Sequence, residues 1–497
     1  QDETTASENP AIGVAARGDA TTGGNNVAVG RSAMRVKTTG ANNVAVGADA
    51  LDSSTTASSN VAVGKDALGS TTTGERNIAI GQSALFAGTT AYHNVAIGYA
   101  SLDAITDATR NVAVGYQSLS ASTASYNTAM GWNSMVTNTS GQFNVGIGTQ
   151  ALNANTTGAQ NVAVGYQSLY TNTTGNNSTA VGQGALENNT ANGNTAVGRR
   201  AGASTTTGYG LVAIGKEALT SNTTGLYNTA LGDSAGQSVT TGGENTLLGA
   251  LAGDAITTGD GNTLIGTAGS ALTDADFNVA LGNNALNGDT LGSRSTALGY
   301  NTLKVQNFTS ATNTYNVAVG HNAGLSVTTG VANTLIGGLA GDALTDADNN
   351  IALGYLSLSS DTLGSRSIAI GAGALNSQNF TSATDTYNVA VGHNAGNNVT
   401  TGTNNTLIGG LAGDAITTAS YNSALGYASL GANTTGNYNV AVGGFALDAN
   451  TSANSNTAVG YSSLTANTTG ANNTANGRDS LLSNNKGDKN TAVGFEA

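Results

Sequence analysis

The side chains best suited to metal binding or proton transfer are few in this chain and lie far apart. The three histidines are His93, His321 and His393. His321 and His393 occupy the same place in two similar stretches, and no histidine has a carboxylate at a spacing typical of zinc ligands. We therefore expect no catalytic residue, no metal site and no cofactor, and the chain is predicted not to be an enzyme.

Two further patterns resemble ligand sites. The aspartate pairs Asp274/Asp276 and Asp346/Asp348 could bind Ca²⁺ between stacked segments, but the nonapeptide of calcium-binding β-rolls is missing. The Gly-rich run 337–341 could be taken for a phosphate loop, but no helical pattern follows it. Both patterns are better explained as parts of a regular repeat.

The motif Asn-Val-Ala-Val-Gly at residues 26–30 returns with small changes until residues 490–494. With the Asn as position 1, the repeat starts 29 times, and of the 28 spacings 23 are 17 residues, three are 16 and two are 21. A period this short and constant predicts a solenoid with one coil per repeat. Position 5 is Gly in every copy, from Gly13 to Gly494, which predicts a corner where a side chain does not fit or φ is positive.

Composition agrees with an all-β parallel β-roll or β-solenoid of about 29 coils. The 497 residues include 70 Gly, one Pro and no Cys, which excludes collagen and a disulfide framework. Only 9% of residues are charged, with a net charge of −13, and no basic stripe indicates nucleic-acid binding. No apolar run approaches the about 18 residues of a membrane span. We expect residues 1–8 to form a partial coil and 9–497 a single continuous repeat domain that ends in a partial coil.

The order of residues within a repeat indicates two short strands per coil, joined by the Gly corner and a polar turn that is often Thr-Thr-Gly. Position 3 is nearly always Ala and position 9 usually Leu or Met. Four coils reverse this pattern, which predicts that the two positions share one interior cavity of fixed volume. The reversed pairs are Leu247/Gly253, Leu264/Ser270, Leu335/Gly341 and Leu407/Gly413.

Position 4 then points to the opposite face of the strand. It is Val, Ile, Leu or Met in every coil except at Asn476. An apolar stripe on the second face needs a cover that one thin roll does not supply, so we expect identical chains to pack side by side. The predicted inter-chain face includes Val29, Val46, Val114, Ile214, Val319 and Val391.

The tandem Asn-Val-Ala-Val-Gly motif, followed by a small residue and Leu, resembles the head repeats of YadA-like trimeric autotransporter adhesins and of related phage tail-fibre proteins. The resemblance covers essentially the whole chain, although the coil of 17 residues is longer. It implies a homotrimer of left-handed parallel β-rolls, an extracellular or cell-surface location, and adhesion to a cell-surface, matrix or glycan ligand.

Two repeats carry near-identical insertions, at residues 306–312 and 378–384. Because they lie four coils apart, we expect two loops to protrude on one side, each with a Phe. Phe308, Thr309, Phe380 and Thr381 are candidate contacts for a receptor or glycan. The alternative is a duplicated loop without a binding role, since the flanking residues 291–295 and 363–367 are duplicated too.

Tyrosines recur in two columns, either just after the Gly corner or just before the Asn. Exposed aromatic rows can stack on sugars or on partners, and they can also cap the edge of a core, which we favour. The first column is Tyr99, Tyr116, Tyr166, Tyr300, Tyr355, Tyr427 and Tyr461, and the second is Tyr126, Tyr227, Tyr315, Tyr387, Tyr421 and Tyr438.

The two ends of the chain are complementary in length. Residues 494–497 followed by residues 1–8 would make a 16-residue repeat, a length used elsewhere in the chain. This predicts a head-to-tail junction and a filament, unless the chain is part of a longer repetitive polypeptide, which the start at Gln1 also allows. The candidate junction residues are Gln1, Asp2, Glu3, Phe495, Glu496 and Ala497.

Together these patterns predict a non-enzymatic extracellular fibre or surface-appendage protein, a stiff rod of about 135 Å, from 29 coils at about 4.7 Å. The alternative is the receptor-binding head of an adhesin or phage fibre, with specificity in the Phe loops. Ice binding is less favoured, because neighbouring Thr residues point to opposite sides and form no planar Thr-x-Thr array.

Overall fold

The chain folds as two compact units, Gln1–Glu244 and Asn245–Ala497. The computed structural model describes residues 8–18, 22–36 and 38–497. In these residues every regular element is a β-strand, and strands one repeat apart are paired in parallel. The predicted all-β parallel solenoid with a 17-residue repeat is therefore confirmed.

Within each unit, a coil contributes a principal strand at positions 2 to 4, which pairs in register with the strand of the next coil, as Val44 pairs with Val61. The strands of the first unit are β1 (Ala11–Ile12), β2 (Val27–Val29), β3 (Val44–Val46), β4 (Val61–Val63), β5 (Ile78–Ile80), β6 (Val95–Ile97), β7 (Val112–Val114), β8 (Thr128–Met130), β9 (Val145–Ile147), β10 (Val162–Val164), β11 (Thr179–Val181), β12 (Thr195–Val197), β13 (Val212–Ile214) and β14 (Thr229–Leu231).

The second unit continues the same pattern and adds four two-residue strands beside the insertions, β18, β20, β24 and β26. Its strands are β15 (Thr246–Leu248), β16 (Thr263–Ile265), β17 (Val279–Leu281), β18 (Gly292–Ser293), β19 (Thr296–Leu298), β20 (Thr312–Asn313), β21 (Val317–Val319), β22 (Thr334–Ile336), β23 (Ile351–Leu353), β24 (Gly364–Ser365), β25 (Ile368–Ile370), β26 (Thr384–Asp385), β27 (Val389–Val391), β28 (Thr406–Ile408), β29 (Ser423–Leu425), β30 (Val440–Val442), β31 (Thr457–Val459), β32 (Thr474–Asn476) and β33 (Thr491–Val493).

After the Gly corner the chain returns through turns, so the prediction of two strands in each coil is wrong. In the coil that starts at Asn43, Asp49 and Leu51 have φ of 59° and 49°. A regular strand does not contain such left-handed residues. The returning segment is still bonded to both neighbours, because the Asp49 N–H donates to the Arg31 oxygen at 2.9 Å and the Leu51 N–H donates to the Ala67 oxygen at 3.0 Å.

The position-5 glycine meets both conditions inferred from its invariance. Gly320 has a φ of 136°, which residues with a Cβ rarely adopt. A Cβ at Gly320 would also lie 2.6 Å from the carbonyl oxygen of Gly337 in the next coil. The predicted corner is confirmed, and its cause is the stacking of backbone directly on backbone.

The interior holds positions 3 and 9 together, as the reversed pairs predicted. Ala45 and Leu51 are fully buried. Where position 3 is the larger residue, as at Leu247, a Cβ on Gly253 would lie only 3.0 Å from the Leu247 Cδ2. The leucine therefore fills the space that the position-9 side chain occupies in other coils.

One of these pairs has a different partner in the structure. The cavity beside Leu264 is closed by Gly269, whose added Cβ would lie 2.8 Å from the Leu264 Cδ1, and not by Ser270, which is half-buried. This coil has 16 residues, and the missing residue lies between the Gly corner and position 9. The exchange of large for small holds, with a shift of one residue.

The Asn at position 1 forms a buried hydrogen-bond ladder along the coils. The Asn60 side chain is fully buried, and its Nδ2 donates to the Asn43 Oδ1 at 3.2 Å and to the Gly74 oxygen at 2.9 Å. The Asn60 backbone N–H also donates to the Asn43 Oδ1, at 3.0 Å. Each Asn thus satisfies backbone groups that would be costly to leave unpaired in the interior.

Candidate interaction surfaces

The outer stripe, defined as the position-4 residues, faces away from the interior in both units. Val46 keeps 37% and Ile80 39% of its surface exposed, whereas Ala45 between positions 2 and 4 is fully buried. Apolar side chains that remain this exposed along successive coils are available to another molecule. All six residues predicted for the inter-chain face lie on the outer stripe and are half-buried or exposed: Val29, Val46, Val114, Ile214, Val319 and Val391.

The two tyrosine columns flank the outer stripe on the same face of the sheet. Residues at positions 17, 2, 4 and 6 alternate with buried ones, so they share one side of the strand. Tyr99 after the corner is 44% exposed and Tyr438 before the Asn is 60% exposed. The outer face therefore has an aliphatic centre and aromatic edges.

Several of these rings cover a glycine in the preceding coil. The Tyr355 ring would lie 3.5 Å from a Cβ on Gly338, and the Tyr461 ring 3.4 Å from a Cβ on Gly444. Both glycines are turn residues, and each ring covers the surface that its glycine leaves without a side chain. This supports the interpretation that these tyrosines cap the structure. The signal for this contact in the sequence is a Gly at the same position one coil earlier. The tyrosine columns by themselves do not show it.

Other rings stack on each other along the column. The ring face that a neighbouring ring covers is not available to stack on a sugar, whereas the outer face of each pair is. The stacked pairs of tyrosine with tyrosine or phenylalanine are Tyr99–Tyr116 at 5.1 Å, Tyr126–Phe143 at 5.0 Å and Tyr421–Tyr438 at 5.2 Å between centroids.

The phenylalanines of the insertions are buried, so the prediction that they protrude is wrong. Phe308 is 6% exposed and Phe380 7% exposed, because both rings fold back over the coil and remove apolar surface from water. Thr309 and Thr381 are exposed, as the contact hypothesis requires. The binding role of the two loops stays a prediction, and their exposed polar residues are its remaining candidate contacts.

Each insertion is fixed by a buried carboxylate that the sequence analysis did not identify. Asp289 is fully buried. Its Oδ1 accepts from the N–H groups of Gly292 at 3.0 Å and Phe308 at 3.2 Å, and its Oδ2 accepts from the Gln306 Nε2 at 2.6 Å. The Gln306 Oε1 in turn accepts from the Asn316 Nδ2 at 2.9 Å.

The second insertion repeats this network. Asp361 accepts from the N–H groups of Gly364 at 3.1 Å and Phe380 at 3.1 Å, and from the Gln378 Nε2 at 2.6 Å. A signal existed in the sequence, because the Asp and Gln are duplicated together with the Phe. Two loops with the same fixed geometry thus stand four coils apart.

The histidines lie in separate surroundings. His93 contacts Tyr92 edge to face at 5.2 Å and lines a groove of about 250 Å³ with Glu75 and Arg76. His321 stacks on Tyr300 at 5.4 Å, and His393 is exposed. Among the residues that the structure describes, no three His, Cys, Asp or Glu side chains converge as metal ligands.

The aspartate pairs considered for Ca²⁺ bond to the preceding coil. Asp274 accepts from the Thr258 hydroxyl, and the Asp276 Oδ1 accepts from the Asp260 N–H at 2.8 Å. In the second pair, the Asp346 Oδ1 accepts from the Thr329 hydroxyl at 2.5 Å. These carboxylates serve as acceptors for groups on the edge of the neighbouring coil.

A different group of aspartates is partly desolvated. Burial raises the pKa of Asp448 above its ordinary value, and the charge of Asp414 raises it further. Gly431 lies between the two in the stack, and an added Cβ there would be 2.7 Å from the Asp448 Oδ1 and 3.7 Å from the Asp414 Oδ1. The two carboxylates thus lean toward the same space beside the glycine.

The two threonines of a Thr-Thr-Gly turn differ in their bonding, as the turn at residues 156–158 illustrates. The Thr156 hydroxyl at position 13 donates to the Thr173 oxygen of the next coil at 3.0 Å, whereas Thr157 at position 14 is exposed. A flat array of two threonine columns is not formed in these turns. This geometry gives no further support to ice binding.

The candidate junction residues fall partly outside the described residues, because Gln1, Asp2 and Glu3 lie there. At the other end, Phe495 is 63% exposed with the Arg478 guanidinium 5.6 Å from its ring centroid. The Ala497 oxygen accepts from the Leu481 N–H at 2.8 Å. Head-to-tail association stays a prediction.

Within residues 8–18, 22–36 and 38–497, none belongs to a helix with the length and apolar character needed to cross a bilayer. The chain matches no protein-family model, and no curated protein matches it.

Proposed function

We propose that this chain is a non-enzymatic structural protein of an extracellular fibre or surface appendage, and that it works as a self-associating β-solenoid rod. The observation that carries the proposal is the outer stripe. Its apolar side chains, such as Val46 at 37% exposure, recur coil after coil on a face that one chain leaves in water. A second copy of the same surface is the cover that the chain itself supplies.

The internal bonding suits such a role. Within each unit, neighbouring coils are joined by strand pairing, and in many coils also by buried Asn bonds such as Asn60 to Asn43 and by threonine bonds such as Thr156 to Thr173. Where its groups are paired, as at Asn60, a buried polar network makes a structure rigid. Because such bonds recur from coil to coil within each unit, the proposed stiffness does not rest on any single coil.

The test is the mass of the purified full chain in solution, measured by light scattering. We expect a homotrimer, with three times the chain mass of 48.7 kDa. A mass of one chain at all concentrations would contradict the proposal.

Variants locate the interface. Val114→Lys and Val391→Lys place a charge on the outer stripe of each unit, and we expect them to dissociate the trimer, because burying an unpaired ammonium group is costly. The matched controls Thr157→Lys and Thr401→Lys put the same charge on exposed turn residues and should leave the mass unchanged. Dissociation by the controls alone would place the interface elsewhere.

A second candidate function is attachment to a cell-surface, matrix or glycan ligand through the two insertions. It is favoured by the exposed Thr309 and Thr381 on two identically fixed loops. Replacing residues 306–312 and 378–384 by the Thr-Thr-Gly turn of an ordinary coil should abolish attachment to cells while the mass in solution is kept. Unchanged attachment would assign the loops no binding role.

A further inference from the structure

Two exposed tyrosine pairs are held face to face in neighbouring coils. Tyr99 and Tyr116 have ring planes 14° apart, and Tyr421 and Tyr438 have planes 11° apart. All four rings keep between 44% and 60% of their surface exposed. Each unit therefore carries one pair of accessible phenols with their ring faces in contact.

Neither pair covers a glycine in the preceding coil, so that explanation does not apply to them. The residue one coil before Tyr99 at the same position is Gln82, and the residue before Tyr421 is Asn404. Stacking does not require the second hydroxyl group, because Tyr126 and Phe143 stack equally well, with planes 15° apart. The chemistry that distinguishes the two pairs is that of the phenol.

Parallel stacking is the arrangement from which two phenoxyl radicals can couple. Each phenol first loses one electron and one proton. A carbon–carbon bond then forms between the two ring carbons next to the oxygens, and the hydrogens on those carbons move to the oxygens to restore both phenols. Because the reacting orbitals stand perpendicular to the rings, they meet between stacked faces and not between an edge and a face.

We propose that Tyr99–Tyr116 and Tyr421–Tyr438 are sites of oxidative modification, where a haem peroxidase with hydrogen peroxide joins neighbouring coils through a dityrosine bond. The peroxide takes up the two electrons and two protons and becomes two water molecules. In a chain without cysteine, such a bond is a covalent staple between coils. The proposal is independent of the proposed function, since both phenols of each pair belong to one chain.

The chain contains its own controls. Tyr126–Phe143 has the stacked geometry but one phenol only. Tyr209 and Tyr227 have two phenols, but their rings are perpendicular, at 80°. The stacked tyrosine pairs should couple, the Tyr–Phe pair should not, and the perpendicular pair should couple more slowly than the stacked pairs.

The experiment treats the folded full chain with a haem peroxidase and hydrogen peroxide, and identifies cross-linked peptides by mass spectrometry. We expect links between 99 and 116 and between 421 and 438, each with the loss of two hydrogen atoms, in chains that run at single-chain mass on a denaturing gel. Tyr116→Phe keeps the ring stack and should remove the first link completely while the second remains. Phe143→Tyr should create a new link to Tyr126.

Three results would overturn the proposal. The first is dityrosine distributed over isolated residues such as Tyr166 without preference for the stacked pairs. The second is cross-linking only between chains, seen as a ladder on the gel. The third is a Phe143→Tyr chain that oxidises elsewhere without a link to Tyr126.

Discussion

Gly320 and Gly338 lie in neighbouring coils, and only Gly320 occupies a position where a side chain would be strained. Gly320 has a φ of 136°, and a Cβ there meets the Gly337 oxygen at 2.6 Å. We expect Gly320→Ala to destabilise the fold by about 2 kcal/mol or more, because strained backbone alone costs about 1–3 kcal/mol. The measurement is denaturant unfolding of the full chain.

Gly338→Ala is the matched control. A Cβ there meets only the Tyr355 ring, at 3.5 Å, which is ordinary contact. This variant should change the free energy of unfolding by less than about 1 kcal/mol. Equal effects of the two substitutions would show that the corner does not require glycine.

Asp448 predicts a dependence of stability on pH. Its pKa in the folded chain is raised by burial and by Asp414, so the folded state binds the proton more tightly than the unfolded state. Between the ordinary aspartate value of 3.8 and the raised folded value, stability falls as pH rises. At neutral pH the ionised carboxylate is therefore a destabilising group.

We expect Asp448→Asn to raise the unfolding midpoint at neutral pH and to have no effect below the ordinary aspartate pKa, where both states are protonated. Thermal unfolding across this pH range measures the effect. The control is Asp274→Asn on an exposed carboxylate, which keeps an oxygen to accept from the Thr258 hydroxyl. A gain that persists unchanged at low pH would contradict the explanation by charge.

Residue types alone were sufficient to predict some contacts and insufficient for others. The pairing of Leu247 with Gly253 indicates a shared interior, because a cavity of constant volume requires a small residue at one position when the other is large. Phe308 has no such signal in the sequence. Its backbone N–H donates to the Asp289 carboxylate 19 residues earlier in the chain, and that contact forms only once the insertion has folded back.

At the scale of elements, the insertion of residues 306–312 is a strand addition fixed by one side chain. The strand β20 pairs with β18 beside the coil, and Asp289 bonds to the segments on both sides. We expect Asp289→Ala to free the amides of Gly292 and Phe308. Since a hydrogen bond to a charged group contributes about 1.5–3 kcal/mol, their hydrogen exchange should accelerate about tenfold or more.

The twin insertion in the same chain is the control for this measurement. Phe380 and Gly364 bond to Asp361 and should keep their exchange rates in the Asp289→Ala variant. Faster exchange in both insertions would indicate a global loss of stability. An unchanged exchange rate at Phe308 would contradict a role of the Asp289 carboxylate in fixing the insertion.

The elements were predicted unevenly. The strand at positions 2 to 4 is evident from the recurring Val-Ala-Val pattern and the following Gly corner. For the returning segment the sequence predicts a second strand, because short apolar steps such as Ala50-Leu51 look the same in a strand and in a turn. Leu51 has a left-handed φ of 49°. Residues with a bulky side chain rarely adopt this conformation, so the sequence does not predict it.

At the scale of the molecule, the scarcity of charge predicts insensitivity to salt. The described ion pairs are exposed at the basic side chain, as in Arg35–Asp52, where the arginine side chain is 51% exposed, and such pairs contribute little. Raising sodium chloride from low to high concentration should not lower the thermal midpoint. A fall of more than about 4 °C, or roughly 1 kcal/mol, would show that ion pairs carry the fold.

In-register stacking has a consequence for how such a gene can vary. The described bonds of a typical coil run mainly within the coil and to its immediate neighbours, as Asn60 bonds to Asn43 and to Gly74. Recombination between repeats that adds or removes whole coils therefore creates junctions identical to those already present. The twin insertions lie four coils apart within similar flanking sequence, as such an exchange would leave them. Length can drift between lineages in steps of one coil, while the chemistry of every face is inherited unchanged.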